Sequence, residues 1–388
     1  MAHAQLDDLD LEILHSRKSE KWHTYPPDIL PAWVAEMDFP LAEPIRRVLQ
    51  KAVDGWDVGY PIAPGDTGLR EVFAARMADR FGWTLDPMRV EILSEVVQGM
   101  YVALEAFAGK GEGAVVQTPI YPPFLSAVEE TGRRLVENRL VVGDSGWAID
   151  FDELEAGVDA DTRVLLFCNP HNPSGRVFTR AELEKLAEVV LRHDLIVIAD
   201  EIHCDLVFDA REFIPFATLS AEILARTVTL NSPSKSFNIP GLRCAVAHFG
   251  GQELHDRFNG RFPRHVRGGL GVLGLYASIA AWQEGQPWLD EVLPYLQANR
   301  DHLIEQLAAR FPAIRCHAPE GTYLAWLDCS GLELRGSPAM HCMRKGKVAL
   351  SDGRFFGAGF ESYLRLNFAT SRAILDQGLD RMAIAFEA

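Results

Sequence analysis

One stretch near the middle of the chain decides the fold: residues 164–200 read VLLFCNPHNPSGRVFTRAELEKLAEVVLRHDLIVIAD. The stretch begins with a short apolar run, VLLFC at residues 164–168, and ends with a second, LIVIA at residues 195–199. Short runs rich in Val, Ile and Leu are typical of buried strands, and the longer segment between these two predicts a helix. A strand, a helix and a second strand in this order favour a parallel sheet.

The helix between the two runs has a clear predicted beginning. Thr179 can cap its first turn, and Glu182, three residues on, completes a capping box. Apolar residues then recur at the three- and four-residue intervals that line one face of a helix: Leu183, Leu186, Ala187, Val190 and Leu191. We therefore expect one buried face, which covers the sheet.

Further apolar runs extend this pattern. We predict strands at residues 114–117, 227–230 and 244–249, and a long helix at residues 288–311. The sequence therefore predicts an α/β fold with a mostly parallel sheet wrapped by helices, followed by a smaller α+β domain.

The chain is expected to divide into two domains. Residues 1–45 are rich in Pro and aromatic side chains, and we expect them to form an N-terminal arm and part of the small domain. Residues 46–285 would form the large domain, and residues 286–388 the small C-terminal α+β domain.

Composition and charge exclude some classes of partner. The chain has 388 residues, 48% of them hydrophobic, which is enough for a large buried core. Its 38 basic and 54 acidic side chains give a formal net charge of −16, so the surface as a whole repels nucleic acid and anionic membranes. We therefore expect a small-molecule substrate whose anionic groups are bound by local donors.

The sequence also bears on location and metal content. No run approaches the ~18 apolar residues that a membrane-spanning helix needs, and residues 1–10 contain no apolar signal core. The six cysteines are scattered without a C-x-x-C pair, which is typical of reduced thiols and unlike a zinc site. We expect a cytoplasmic protein with no bound metal.

Polar residues follow two predicted strands, at the edge where open α/β sheets bind ligands. Residues 169–175 (NPHNPSG) contain two prolines and a glycine, which fix a rigid turn that can aim an Asn amide at a ring hydroxyl. A turn without a ligand is the alternative. Asp200 follows the run at residues 195–199, and its carboxylate is costly to bury without a cationic or hydrogen-bonded partner. A protonated pyridine nitrogen is such a partner, whereas a helix-capping Asp is the alternative.

The most informative segment follows the predicted strand at residues 227–230. Residues 232–243 read SPSKSFNIPGLR, in which Lys235 lies among hydroxyls and apolar residues with no neighbouring carboxylate. Desolvation and nearby cations lower the pKa of a lysine, so this setting suits an amine that must spend time neutral. Ser232, Ser234 and Arg243 provide donors for a dianionic phosphate. This combination argues against a merely solvated surface lysine.

A second segment could bind an anion through its backbone. Residues 95–99 (EVVQG) precede a predicted helix at residues 100–108, and the free N–H groups and dipole at a helix start favour anions. The segment has no glycine pair or lysine, so by itself it is a weak indication of a site.

With these residues in place, the chain resembles the fold-type-I pyridoxal-phosphate enzymes of the aminotransferase class I/II superfamily. More narrowly, it is similar to the C–S β-lyases of the MalY/PatB type, which are cystathionine β-lyase-like. The resemblance covers residues 21–370 and rests on these markers: LPAWVAEMDF at 30–39, GYP at 59–61, the turn at 169–175, DEIH at 200–203, the lysine segment, and YLRLN at 363–367. It implies a large domain with a mostly parallel seven-stranded sheet and a small α+β domain.

The resemblance implies pyridoxal 5′-phosphate as the cofactor and assigns roles around its ring. Lys235 would hold the cofactor as a Schiff base and later move the Cα proton of the substrate. Asp200 would pair with the pyridine nitrogen, Asn172 would bond the ring oxygen, and Tyr121 would stack on the ring. His203 stands where many aminotransferases carry a tyrosine that touches the ring oxygen.

The resemblance also assigns the phosphate and the substrate ends of the site. Six residues would hold the phosphate by side chain or backbone: Ser232, Ser234, Arg243, Val96, Val97 and Gln98. Tyr60 would reach the phosphate of a neighbouring subunit, so the active unit would be a homodimer. Arg365 would bind the substrate carboxylate with both arms of its guanidinium, and Tyr25 and Ala35 would lie on the substrate side.

The implied reaction is an α,β-elimination that converts L-cystathionine or another cysteine S-conjugate to a thiol, pyruvate and ammonia, with Lys235 or Tyr121 protonating the leaving thiolate. His203 and the stretch at residues 33–39 favour this lyase branch. An aminotransferase shares every step up to removal of the Cα proton and stays an alternative, as does a regulatory protein that binds the cofactor. The glycine pattern at residues 269–274 has no strand before it, so we do not expect a nicotinamide-dependent oxidoreductase.

Overall fold

The computed structural model describes residues 4–62, 67–143, 146–263 and 266–387; residues 1–3 of the expected arm and residue 388 therefore lie outside the described residues. The α-helices are, in chain order, α1 (Ala4–Asp7), α2 (Leu11–Ser16), α3 (Glu20–His23), α4 (Glu43–Asp54), α5 (Leu69–Phe81), α6 (Val96–Phe107), α7 (Pro122–Glu130), α8 (Phe151–Gly157), α9 (Arg180–Arg192), α10 (Ala221–Ala225), α11 (Gln252–Arg261), α12 (Val272–Glu284), α13 (Gln286–Arg310), α14 (Pro338–His341) and α15 (Arg372–Phe386). The strands are β1 (Leu30–Pro31), β2 (Val90–Leu93), β3 (Gly113–Thr118), β4 (Arg134–Arg139), β5 (Val141–Gly143), β6 (Gly146–Ala148), β7 (Thr162–Cys168), β8 (Ile196–Asp200), β9 (Thr227–Asn231), β10 (Ala245–Phe249), β11 (Leu324–Asp328), β12 (Val348–Ala349), β13 (Ser351–Asp352) and β14 (Tyr363–Asn367).

A seven-stranded sheet lies at the centre, in the order β2-β10-β9-β8-β7-β3-β4. Every neighbouring pair is parallel except the two that β10 makes, which are antiparallel. The predicted α/β fold with a mostly parallel seven-stranded sheet is therefore confirmed. The five predicted strands are present with bounds that agree within two residues, whereas β2 and β4 were not predicted.

The β7-α9-β8 unit forms as its sequence predicts. Thr179 and Glu182 make the complete capping box, and Leu183, Leu186 and Val190 are fully buried against the sheet. The predicted buried face was wrong at Leu191, whose side chain is 40% exposed. Val189 is buried in its place, because the face that contacts the sheet is turned slightly from the predicted one.

Both faces of the sheet are covered. Side chains alternate along β7, so that Val164 and Leu166 lie in one apolar cluster and Leu165 and Phe167 in another on the opposite face. Strands buried on both faces are typical of parallel sheets, since helices cross over each face. The carboxyl edge of the sheet is therefore the place where polar side chains can be brought together.

The C-terminal part of the chain builds a second, smaller sheet in the order β11-β14-β13. The N-terminal segment joins this region, because β1 pairs in parallel with β12, with Leu30 opposite Val348. Helix α13 begins at Gln286, directly after Gly285. These contacts agree with an N-terminal arm that packs on the small domain, but the domain boundaries at residues 45 and 285 stay predictions.

The helices of the described residues differ from membrane spans in their combination of length and hydropathy. None of them is long and apolar enough to cross a bilayer.

Candidate active site

A cavity of about 140 Å³ opens at the carboxyl edge of the central sheet. Most of the predicted site residues line it: Ala35, Val96, Val97, Tyr121, Asn172, Asp200, His203, Ser232, Ser234, Lys235 and Arg243. Four predicted residues do not line it: Tyr25, Tyr60, Gln98 and Arg365.

The sheet topology explains why these distant residues meet. Strands β7, β8 and β9 are adjacent and parallel, so their carboxyl ends lie side by side. Asn172 follows β7, Asp200 is the last residue of β8, and Lys235 follows β9. An amide, a carboxylate and an amine are thereby placed around one cavity.

Lys235 lies partly exposed in this cavity. Its Nζ donates a hydrogen bond to the carbonyl oxygen of Ala35 at 2.9 Å. Burial, assisted by the charge of Arg365, lowers the pKa of this amine to about 8, and the charge of Asp200 acts in the opposite direction. A much larger fraction of this lysine is therefore neutral near pH 7.5 than of an exposed lysine.

Asp200 is a buried carboxylate. Its Oδ1 accepts a hydrogen bond from the backbone N–H of Ile202 at 3.1 Å, and no cationic side chain in the described residues forms an ion pair with it. Burial raises the pKa of Asp200 to about 6, although the Ile202 N–H and the charge of Lys235 lower it. Such a group lacks the cationic partner that would make its burial favourable.

Asn172 lies in the turn after β7 and contacts Arg365. The Asn172 Oδ1 accepts from Nη1 of Arg365 at 3.0 Å, while Nη2 donates to the Trp33 carbonyl oxygen at 2.9 Å. Nη2 also contacts the Ser351 hydroxyl at 3.2 Å. Burial lowers the pKa of Arg365 to about 10, which still leaves the guanidinium charged at neutral pH.

His203 is buried and Tyr121 is partly buried beside the same cavity, and neither is charged at neutral pH. Burial lowers the pKa of His203 to about 3, with smaller contributions from the charges of Lys235 and Arg365. The His203 Nδ1 has no hydrogen-bond partner among the described residues. Burial also raises the pKa of the Tyr121 hydroxyl, which therefore keeps its proton.

The start of helix α6 forms another wall of the cavity. The helix begins at Val96, so the predicted start at residue 100 was wrong by one turn. Val96 and Val97 line the cavity, whereas the Gln98 side chain points elsewhere and donates to the Arg267 carbonyl oxygen. Gln98 can therefore take part only through its backbone.

The serines and Arg243 complete this wall. The Ser232 hydroxyl donates to the Cys244 carbonyl oxygen at 2.7 Å and accepts from the Ser234 N–H at 3.1 Å. Arg243, which is 64% exposed, forms an ion pair of 2.6 Å with Glu95, whose side chain was given no role by the sequence. The predicted phosphate donors are thus grouped, but one of them is shared with a carboxylate.

Tyr60 and Tyr25 lie outside the cavity. The Tyr60 side chain is fully exposed in the single chain, so its predicted role depends on a second subunit. The Tyr25 ring packs edge-on against Trp33 with a centroid distance of 5.5 Å. Tyr25 therefore supports the segment that carries Ala35, and direct contact with a substrate stays a prediction.

Sequence reasoning missed Tyr323. This residue precedes β11, and its hydroxyl donates to the Ala35 carbonyl oxygen at 2.9 Å. Its only sequence signal is a polar ring within the apolar run YLAWL, which is equally common in a plain core. Among the described residues, no group of three or more His, Cys, Asp or Glu side chains is arranged to hold a metal ion.

The fold and the site define a class of protein. A mostly parallel seven-stranded sheet with a lysine, a carboxylate and an amide at its carboxyl edge is the fold-type-I architecture of the pyridoxal-phosphate enzymes. The family model described as aminotransferase class I and II matches residues 38–382, and the chain belongs to this family.

Known relatives are similar over nearly their whole length. The chain is 37% identical to cystathionine beta-lyase PatB of Bacillus subtilis (strain 168), with 92% of each chain covered. Among solved structures, that of OvoB is 40% identical with a TM-score of 0.91, covering 96% of this chain and 97% of the other. The PLP-bound C-S lyase from Staphylococcus hominis is 27% identical with the same TM-score, covering 98% of each chain.

Proposed function

We propose that this chain is a pyridoxal-phosphate-dependent C–S β-lyase. It would convert L-cystathionine or another cysteine S-conjugate to a thiol, pyruvate and ammonia. The similarity to proteins named cystathionine beta-lyase and C-S lyase supports this reaction. The observation that carries the cofactor chemistry is the placement of the Lys235 amine and the Asp200 carboxylate around one cavity.

The cavity fits the cofactor chemically. When bound, pyridoxal phosphate supplies an aldehyde that links to an amine and a cationic ring that withdraws electrons from the substrate Cα. Asp200 is a buried carboxylate without an ion-pair partner among the described residues, which suits a protonated ring nitrogen. The uncharged His203 and the Asn172 amide can hydrogen-bond the ring oxygen without adding charge.

The phosphate would lie at the start of α6. The backbone N–H groups of Val96 and Val97 begin that helix, and the Ser234 hydroxyl and Arg243 line the same wall. Helix N-termini favour dianions, and a guanidinium binds phosphate oxygens in two places. The Ser232 hydroxyl already donates to Cys244, so Ser232 would orient the loop around Ser234.

Lys235 would hold the cofactor and act as the base that removes the Cα proton. An amine with a pKa of about 8 is roughly one quarter neutral at pH 7.5, compared with roughly one part in a thousand at the ordinary value of 10.5. The lowered pKa therefore increases the amount of active base by more than two orders of magnitude.

Arg365 would bind the substrate carboxylate. Its two terminal nitrogens now donate to Asn172 and to the Trp33 carbonyl oxygen, and its buried Nε has no partner in the part of the chain that the structure describes. A carboxylate would exchange these neutral acceptors for a charged one, which strengthens the hydrogen bonds. The Tyr121 hydroxyl keeps its proton and can donate it to the leaving thiolate.

The active unit would be a homodimer with Tyr60 acting across the interface. Five apolar or aromatic side chains in the last turn of α4 and the segment that follows it are exposed in the single chain: Val53, Trp56, Val58, Tyr60 and Ile62. Exposed apolar groups clustered in one segment are typical of a surface that another protein covers. A second copy of the chain is the partner that the family resemblance implies.

We also propose the domain division at residues 45 and 285 and a cytoplasmic location. The pairing of β1 with β12 supports the assignment of the arm to the small domain. All six cysteines lie in the described residues and none forms a disulfide, which agrees with a reducing compartment.

The reaction is tested by incubating the purified protein with L-cystathionine and no keto acid. We expect pyruvate and a thiol to appear, and Lys235→Ala to produce neither. If the wild-type protein forms no pyruvate but transfers the amino group of the substrate to added 2-oxoglutarate, the protein is an aminotransferase and the lyase proposal is wrong.

A further inference from the structure

One backbone carbonyl in the cavity accepts two hydrogen bonds from side chains. The Ala35 carbonyl oxygen receives the Lys235 Nζ at 2.9 Å and the Tyr323 hydroxyl, also at 2.9 Å. The two donors therefore lie within twice that distance of each other. Tyr323 is 1% exposed, so no solvent competes for its hydroxyl.

The Ala35 carbonyl cannot turn away from these donors, because the peptides on both sides are fixed. The Asn367 side-chain amide donates to the carbonyl oxygens of Val34 and Glu36, at 2.6 and 2.7 Å. Lys21 holds the Glu36 carbonyl oxygen as well, at 3.1 Å. The Ala35 carbonyl oxygen is thus held in a fixed position in the site.

Tyr323 is held as firmly as Ala35. Its own carbonyl oxygen accepts from the Phe368 N–H at 3.0 Å, and its ring packs edge-on against His203 at a centroid distance of 6.0 Å. Burial raises the pKa of its hydroxyl well above the ordinary value. The hydroxyl therefore stays a proton donor throughout the pH range in which an enzyme works.

A carbonyl oxygen has two lone pairs, and a second donor weakens the bond that the first one makes. We propose that Tyr323 is a positioning residue for Lys235: its hydroxyl occupies one acceptor site of Ala35 and so weakens the hold of that oxygen on the lysine ammonium. The amine is then released more readily to act as a base. The consequence for catalysis rests on the proposed function, whereas the effect on the amine itself does not.

The charged and titratable groups that surround Lys235 come from several elements: Arg365 on β14, Asp200 on β8, Glu36 in the segment after β1, and Glu20 on α3. The neighbouring His203 and Tyr121 carry no charge near pH 7.5. Substitution of Tyr323 by Phe changes none of these groups and keeps the ring that contacts His203. A change in the titration of Lys235 can then be assigned to the lost hydroxyl.

The first test measures the amine directly in the full-length protein without cofactor. Competitive acylation with acetic anhydride, read by mass spectrometry from pH 6 to 10, gives the titration of each lysine. A hydrogen bond to the charged form stabilises it, so Tyr323→Phe should move the Lys235 titration upward by about half to one pH unit. An unchanged or lower titration would overturn the proposal.

Tyr295→Phe is the matched control. The Tyr295 hydroxyl contacts Asp7 and Arg372, neither of which lines the catalytic cavity, so its loss can affect stability without moving the Lys235 titration. Should Tyr323→Phe fail to fold, Tyr323→Met fills much of the same space without a donor and is read in the same way.

The second test uses the protein loaded with cofactor. The acid limb of the kcat profile for pyruvate formation should move upward with Tyr323→Phe, so that kcat falls several-fold at pH 7 and recovers above pH 9. KM should stay unchanged, because Tyr323→Phe leaves Arg365, the proposed site for the substrate carboxylate, in place. A uniform loss at every pH would indicate a merely structural role. If wild type forms no pyruvate, the proposed function fails, but the acylation experiment still decides the role of Tyr323.

Discussion

Replacement of Asp200 by Asn should stabilise the cofactor-free protein while weakening its function. The carboxylate is buried and has no ion-pair partner among the described residues, so its charge destabilises the protein that lacks the cofactor. An Asn oxygen can still accept the N–H of Ile202, which Oδ1 of Asp200 accepts now. The substitution therefore removes the charge and keeps the local hydrogen bond.

The size of the effect follows from the pKa. Burial raises the pKa of Asp200 from 3.8 to about 6. Between pH 3.8 and pH 6 the folded chain keeps a proton on Asp200 that the unfolded chain has lost. The free energy of unfolding of the wild type therefore falls as the pH rises from about 4 to about 6. Two pH units correspond to about 3 kcal/mol, and after a discount for the new amide group we expect Asp200→Asn to gain about 2 kcal/mol at pH 7.5.

The assay is urea unfolding of both proteins without cofactor, at one protein concentration and at several pH values. The advantage of the variant should shrink to about one third near pH 5 and disappear by about pH 4.5, because protonation of the wild-type carboxyl then reduces the cost of its charge to about the size of the discount for the amide. Asp205→Asn is the matched control, because Asp205 is also buried but already pairs with Arg76 at 2.7 Å. This control should lose about 3 kcal/mol.

Asp200→Asn should weaken cofactor binding, although it stabilises the cofactor-free protein. Without a carboxylate to pair with the ring nitrogen, the cofactor should bind Asp200→Asn roughly 10–100-fold more weakly, as expected for a lost charge-assisted hydrogen bond. The reasoning is refuted if the cofactor-free variant is no more stable than wild type at pH 7.5. It is also refuted if the gain does not decline with pH.

Three further predictions concern the arm, the dimer and the substrate. Lys21→Met should lower the free energy of unfolding by about 3–5 kcal/mol, since it leaves the Asp38 carboxylate buried without the cation now 2.8 Å away; urea unfolding measures this, and a loss under 1 kcal/mol would contradict it. Mixing the inactive variants Tyr60→Ala and Lys235→Ala should restore activity, because hybrid dimers would contain one complete site, whereas no recovery would place Tyr60 in its own subunit. Arg365→Lys should raise KM about 10–100-fold, because lysine cannot make the bidentate contact with the substrate carboxylate. An unchanged KM would exclude Arg365 as the carboxylate site.

The sequence predicted those parts of the fold that local patterns control. The β7-α9-β8 unit is an example, because its capping box and apolar runs are complete within 40 residues of chain. Strand β4 was missed because it is the edge strand RLVENR, in which only Val136 and Asn138 are buried. The start of helix α6 was predicted one turn too late, because the two valines that open the helix are poor helix formers.

In the candidate site, too, the sequence predicted what local patterns control and missed the contacts between distant residues. Asn172, Asp200 and Lys235 each follow a recognisable strand, and parallel topology then brings them together. The contacts of Arg365 with the Trp33 carbonyl and of Tyr323 with Ala35 join residues about 300 positions apart, and no local pattern encodes such pairs. The role of Tyr60 depends on a second chain and stays a prediction.

The central claim is that Lys235 holds an aldehyde cofactor, and borohydride reduction followed by peptide mass spectrometry tests it most directly. We expect the protein reconstituted with pyridoxal phosphate to lose its visible absorbance on reduction, with one pyridoxyl phosphate group fixed on the peptide that contains Lys235. Absence of the group from that peptide, or its attachment to a different lysine, would contradict the account.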